Sequence, residues 1–271
     1  ARGEYLYFVD SDDWAEPTMF EDMYNAAKKN NAQLVVAGFY IDTYHSDTEF
    51  YTQKQTVPAK EFKTQREFRE YAHKMFDKNL LYTPWNKLFE RKYIMDNDIR
   101  FKNTFWDDFP FNLDVVRDVE RVVLLENCYY HFMRARSDSE TAKYRSDMYA
   151  KREEEHKWML DLYEYWNVNS DESYEMINRR YIERVIGCIE NVTNSACTLS
   201  FKEKMQEIKY IITRENVRTA LKIAKPNSLV MKIMLIPVKM KSSFLTYLEG
   251  AFISKVKSGN VKLFAKLKAN R

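Results

Sequence analysis

Short apolar runs alternate with amphipathic stretches over the first 145 residues, and from about residue 146 onward the pattern turns helical and charged almost throughout. Three runs bounded by polar turns, Glu4 to Asp10, Gln33 to Tyr44 and Arg121 to Met133, have the length and composition of buried strands. Between them Pro17 to Asn30 predicts a helix with proline near its first position. Glu61 to Asn79 predicts another, with Phe62, Phe68, Tyr71, Ala72, Met75 and Phe76 on one face. Strands alternating with helices imply an α/β layer. Beyond Asp147 the periodicity predicts helices over Met148 to Trp166, Ser173 to Val192 and Phe201 to Ile212. The expected organisation is an α/β domain over 1–145 followed by a helical region over 146–271, with no internal repeat.

Charge sharpens the division. The chain has 43 Lys plus Arg against 40 Asp plus Glu, a net +3 that argues against a nucleic-acid partner. Residues 226–271 hold nine of those cations and only Glu249, so the basic excess lies wholly in the tail. Phe244, Leu245, Leu248, Phe252 and Val256 recur there at helical spacing among Lys239, Lys241, Lys255 and Lys257. Two readings fit this pattern: an interfacial helix on an anionic membrane, or a terminal helix packed on the body with solvated lysines.

Composition removes several function classes. Five widely scattered glycines, against a usual ~7% of residues, exclude the glycine-rich phosphate loop of dinucleotide and P-loop folds. A phosphorylated ligand must then be met by a metal or by basic side chains. Cys128, Cys188 and Cys197 are too few for a disulfide framework, which fits a reducing, cytoplasmic compartment. His45, His73, His131 and His156 contain no zinc-type pair and read as surface or satisfied core residues. Asn191-Val-Thr193 matches a glycosylation triplet, with no signal segment to accompany it. The longest apolar run, Leu229 to Val238, is about half a membrane span.

Three segments have residues suited to chemistry. In FVDSDDW, Phe8 to Trp14, an apolar strand runs into three aspartates; if the segment stays extended, Asp10 and Asp12 share one side and Ser11 and Asp13 the other. Two carboxylates at the carboxyl end of a buried strand suit Mg²⁺ or Mn²⁺ with a substrate diphosphate, or they cap the next helix. In FWDDFPF, Phe105 to Phe111, Asp107 and Asp108 precede a helical pattern. They either serve its N-terminus or compete for ionisation, leaving one poised as a general base. In YYHFMRARSDSET, Tyr129 to Thr141, a strand exits into Arg134, Arg136 and Ser139, a pyrophosphate clamp or a solvated linker.

In this order the three segments resemble the family 2 glycosyltransferases of bacterial capsule and exopolysaccharide synthesis, which have the GT-A fold. The family pattern A-x-G-E-Y, an apolar run, then D-S-D-D-W is matched by ARGEYLYFVDSDDW at Ala1 to Trp14. Further matches are Asn86-Lys87-Leu88-Phe89-Glu90-Arg91, Ile99-Arg100-Phe101, Asp107-Asp108 ahead of Phe111, and Tyr130-His131-Phe132 leading to Ser139. The resemblance covers residues 1 to about 145 and implies an inverting, metal-dependent transfer from a nucleotide-diphosphate sugar, a uridine diphosphate sugar by expectation. It casts Asp10 and Asp12 as the D-x-D pair, with Asp12 the direct Mn²⁺ or Mg²⁺ ligand and Asp10 nearer the nucleotide-sugar. Asp108 becomes the catalytic base, with Asp107 in place of the family's glutamate. Arg134, Arg136 and Ser139 would close over the diphosphate, and Asn86 and Lys87 would shape a pocket or hold a turn. The implied acceptor is a saccharide or a lipid-linked saccharide at the inner face of the cell membrane.

The chain also starts where the family pattern is about halfway through its catalytic domain. A fragment without the early nucleobase-holding strands is therefore expected, with an uncovered sheet edge that invites self-association. Two competing readings are a noncatalytic module docking through the basic tail, and a haloacid-dehalogenase-type phosphatase. The latter wants Thr or Val where Trp14 stands.

Overall fold

Residues 1–44, 50–104, 106–134 and 144–259 are described by a computed structural model, the last four of them in backbone alone. Their elements in the first part of the chain are β1 (Tyr5–Leu6), β2 (Trp14–Ala15), α1 (Met19–Asn30), β3 (Leu34–Tyr44), β4 (Phe50–Gln55), β5 (Lys60–Glu61), α2 (Gln65–Asp77), β6 (Lys87–Glu90), α3 (Arg91–Asp96), α4 (Asp108–Asp118) and β7 (Val122–Arg134). These are followed by α5 (Met148–Tyr165), α6 (Asp171–Thr193), α7 (Phe201–Thr213), α8 (Glu215–Ile223), α9 (Leu229–Lys239) and α10 (Ser243–Gly259).

The described residues divide into two compact units. The first runs from Ala1 to the end of β7 and takes back Leu162–Val168 at the end of α5; the second holds the remaining helices. The boundary expected near residue 146 falls just after the second unit's first described residue, Tyr144.

In the first unit the strands form a mixed sheet in the order β1-β6-β3-β7-β2, with β4 on β3 and β5 on β7. The two long apolar runs, β3 and β7, are its parallel centre, with Val35 opposite Val123 and Thr43 opposite Arg134. Parallel strands covered on both faces need continuous apolar sequence, which these two runs supply. Side chains alternate between the faces. Val35, Ala37, Leu88 and Val123 meet Met19, Met23 and Ala27 of α1 on one face. Phe89 meets Phe111 of α4 on the other, ring centroids 5.7 Å apart. The ladder slips at Gly38, where a Cβ would lie 2.8 Å from Cys128 Sγ and 3.0 Å from Gln55 O.

The strand expected over Glu4 to Asp10 is shorter than its apolar run. Only Tyr5 and Leu6 pair with β6; beyond them Phe8 turns inward onto Phe89, Phe101 and Phe111 instead of extending the ladder. Its apolar residues are used as packing side chains, which a run of hydrophobic positions cannot distinguish from a strand.

The second unit has one helical core, from Tyr181, Ile182, Val185 and Ile189 of α6 to Ile208 and Ile211 of α7, Val217 of α8 and Met234 and Leu235 of α9. Asn191 is a structural residue here: its side chain donates to Arg145 O at 2.7 Å and accepts from Arg145 N at 3.0 Å, inside α6. In α10 the packed side contains Thr246 and Gly250, while Phe244, Leu245, Leu248 and Phe252 remain exposed. The side chains of Val256 and Lys257 lie outside the described residues.

Candidate active site

The candidate carboxylates gather in the first unit, around the carboxyl end of β7, the start of β6 and the N-terminus of α4. The aspartate segment is a turn, Asp13 N donating to Asp10 O at 3.2 Å, so the strict alternation expected of an extended chain does not hold. The turn forms because its third aspartate is tied to the sheet. Asp13 accepts from Met133 N and from the Tyr130 hydroxyl, both at 2.8 Å, and the Tyr130 oxygen in turn accepts from Asp10 N at 3.2 Å. Trp14 then enters β2 opposite His131 and stacks on its ring at 3.6 Å. Asp13 is thus the anchor, and Asp10 and Asp12 are presented at the surface.

Three negative charges in four residues crowd each other. Partial burial, then Asp13 and Asp12, raises the Asp10 carboxyl above its ordinary range. A bound divalent cation relieves such crowding, and two hard oxygen donors suit Mg²⁺ or Mn²⁺. Among the described residues no group of three or more His, Cys, Asp or Glu side chains is gathered as a metal site. A cation here would therefore draw further ligands from a substrate diphosphate or water.

Asp108 opens α4, with Asp107 as the residue before it. The Asp107 side chain makes no capping bond to the helix, so the capping role weighed for this pair is not the one Asp107 fills. Asp108 is half-buried. Desolvation first, then the charges of Asp107 and Asp10, lift its carboxyl to about 6, against the pull of Lys87. The charge of Asp10 acts on Asp108, so the first and second motifs lie within electrostatic reach of each other.

Lys87 is 0% exposed. It shares the α4 side of β6 with Phe89 by strand alternation, and its ammonium donates to Thr83 O and, at 2.9 Å, to Asn86 Oδ1. Asn86 is fixed in turn, donating to Ala37 O at 2.9 Å and Leu80 O at 3.1 Å. Burial pushes the Lys87 amine well below its usual range, partly countered by Asp108. Asn86 and Lys87 therefore hold the turn into β6, and Lys87 pulls weakly against the rise at Asp108.

Arg134 ends β7 half-buried, and burial lowers its guanidinium pKa. Arg136 and Ser139 lie outside the described residues. His131 is the satisfied core histidine expected, bonded to Asp42 at 2.7 Å and Glu16 at 3.2 Å between the stacked rings of Trp14 and Tyr40. Sequence reasoning did not assign Tyr130 a role; the signal available was its position in the strand that follows the second acidic motif.

Comparison with known proteins finds similarity in sequence over the first part of the chain and in fold over nearly all of it. Residues 1–97, about a third of the chain, match the model described as Glycosyl transferase family 2. It is 32% identical over 136 residues to the uncharacterized glycosyltransferase EpsJ of Bacillus subtilis, and 31% identical over 137 to the cholesterol galactosyltransferase of Borreliella burgdorferi. Each match takes in 48% of this chain, but only 38% and 37% of those proteins. The chain thus spans well under half the length of these relatives. A solved structure of S. aureus TarS in complex with UDP-GlcNAc superimposes with a TM-score of 0.57 at 15% identity, covering 96% of this chain and 69% of TarS. The fold is α/β of the GT-A type.

Proposed function

We propose that the protein transfers a sugar, with inversion, from a nucleotide-diphosphate donor to a saccharide or lipid-linked acceptor, in surface polysaccharide synthesis. The observation that carries this reading is Asp108, a half-buried carboxyl lifted to about 6 within the field of the D-x-D segment. Such a group is ionised at neutral pH yet a stronger base than an ordinary carboxylate. It takes the proton of the acceptor hydroxyl as that oxygen bonds to the anomeric carbon, and the bond from that carbon to the diphosphate oxygen breaks on the opposite face. Asp12, with Asp10, would hold a Mn²⁺ or Mg²⁺ ion, which supplies charge stabilisation to the departing diphosphate. Asp10 orients the donor, Asp13 and Tyr130 keep the loop on the sheet, and the family resemblance gives Arg134, Arg136 and Ser139 the role of meeting the diphosphate. The UDP-GlcNAc bound by TarS supports a uridine diphosphate sugar as donor class. The cytoplasmic membrane face, reached through the basic tail, is where a lipid-linked acceptor would be met.

Calorimetric titration of uridine diphosphate into the chain, with and without Mn²⁺, tests the donor site. Metal-dependent binding lost in Asp12→Asn is the expected result. Asp108→Asn should retain that binding and abolish transfer, and near-normal turnover in it removes Asp108 as the base.

A further inference from the structure

The second unit exposes an apolar surface that the candidate active site does not use. Helix α9 is hydrophobic on both sides. Met231, Met234, Leu235 and Val238 face the helical core, while Leu229, Ile233, Ile236 and, just past its end, Met240 are 52–72% exposed. That outer stripe follows the i, i+4, i+7, i+11 spacing of one helix face. It continues across the next turn into α10, where Phe244, Leu245, Leu248 and Phe252 are 42–67% exposed.

The outward orientation of α10 is fixed from behind. A Cβ at Gly250 would lie 2.9 Å from both Ile189 Cγ2 and Thr193 Oγ1, and Ser254 Oγ meets Thr193 Oγ1 at 3.1 Å, so this side is held close against α6. The two helices pack on each other. Rotation of α10 to bury its phenylalanines would break that seat.

A helix with apolar residues on its outer side as well as its inner side belongs against a second apolar phase, protein or lipid. Here the inner side is already in the core, and no helix among the described residues is long and apolar enough to cross a membrane. Charge selects the occupant. Lys232, Lys239, Lys241 and Lys255 are exposed along the same two helices and the turn between them, whereas Glu249, half-buried, is the single acid between residues 226 and 259. Two copies meeting through this face would bring like charges together. We infer that α9 and α10 form one interfacial docking surface for an anionic lipid bilayer, the apolar stripe entering the headgroup boundary and the lysines meeting the lipid phosphates. This deepens the membrane side of the functional reading and rests on that reading only for where the acceptor is met.

Flotation of the full chain with phosphatidylglycerol–phosphatidylcholine vesicles, against phosphatidylcholine alone, tests the surface. Binding should favour the anionic vesicles and weaken as salt rises. Each Lys→Gln change at 232, 239, 241 or 255 should lower partitioning about fivefold. The pair Ile233→Asp with Phe252→Asp should lower it by at least about a hundredfold. Circular dichroism and uridine diphosphate titration of the same samples separate this inference from the transferase reading. Donor binding without vesicle binding overturns the surface alone. Equal binding to neutral vesicles removes the charge selection. A self-associated chain that stays off vesicles and becomes monomeric in the double aspartate variant assigns the stripe to a second copy and overturns the proposal.

Discussion

Replacing Asp108 by asparagine should make the first unit more stable while removing its proposed base. The isosteric amide keeps the shape at the start of α4 and deletes a charge that the fold holds at a cost. Raising a carboxyl from its ordinary 3.8 to about 6 corresponds to ~3 kcal/mol of preference for the protonated form. Because Asp108 is only half-buried, solvent relieves part of this, and a net gain of about 1–3 kcal/mol is expected. The sign follows from the direction of the shift. Below 3.8 the carboxyl is protonated folded and unfolded, so its charge costs nothing; the cost grows as pH rises and is complete above about 6. Urea unfolding of the parent and Asp108→Asn chains should therefore show the variant ahead near pH ~8 and most of that gain gone near pH ~4. A variant that is less stable at high pH, or equally favoured at both, would refute the assignment of Asp108 as a strained functional group and make it an ordinary structural carboxylate.

Transfer should fall on the acid side with a midpoint near 6, since only ionised Asp108 accepts a proton, and Asp107→Asn should move that limb to lower pH; an unmoved limb separates the two charges. Asp13→Ala should cost the first unit about 2–4 kcal/mol, because its carboxylate accepts two bonds from β7. The same change should abolish uridine diphosphate binding with Asp10 and Asp12 intact, and full binding would show that the loop is not held by this anchor. Gly38→Ala should lower stability by about 1–3 kcal/mol through its clash with Cys128 and Gln55, read as a shifted unfolding midpoint.

The parts of the fold legible in the sequence are those where a side-chain pattern has one structural solution. Phe68, Ala72, Met75 and Phe76 at helical spacing bury together in α2, and the two continuous apolar runs become the parallel centre of the sheet. Strand β4, FYTQKQ, is largely exposed and has no apolar-polar alternation, and β6 is only four residues long, so neither was visible beforehand. The acidic motifs stand out in the sequence because three aspartates follow an apolar run and two more precede a helical pattern. The division of labour within the first one was not legible, since Asp13 is distinguished from Asp10 and Asp12 only by the distant Tyr130 and Met133 that it meets. The resemblance pointed to Lys87 as a pocket or turn residue, but its complete burial was hidden, because a lysine reads as solvated until the turn that cages it is known.

That cage gives the molecule a built-in reporter. An amine whose pKa burial has driven down is, in its uncharged form, the species that acylating reagents attack, yet Lys87 has no surface through which a reagent can arrive. Its rate of acylation, followed by peptide mass, therefore measures how often the first unit opens rather than how reactive the amine is. Any ligand that binds the closed site should slow that labelling in proportion to its occupancy, including one whose transfer product has never been identified.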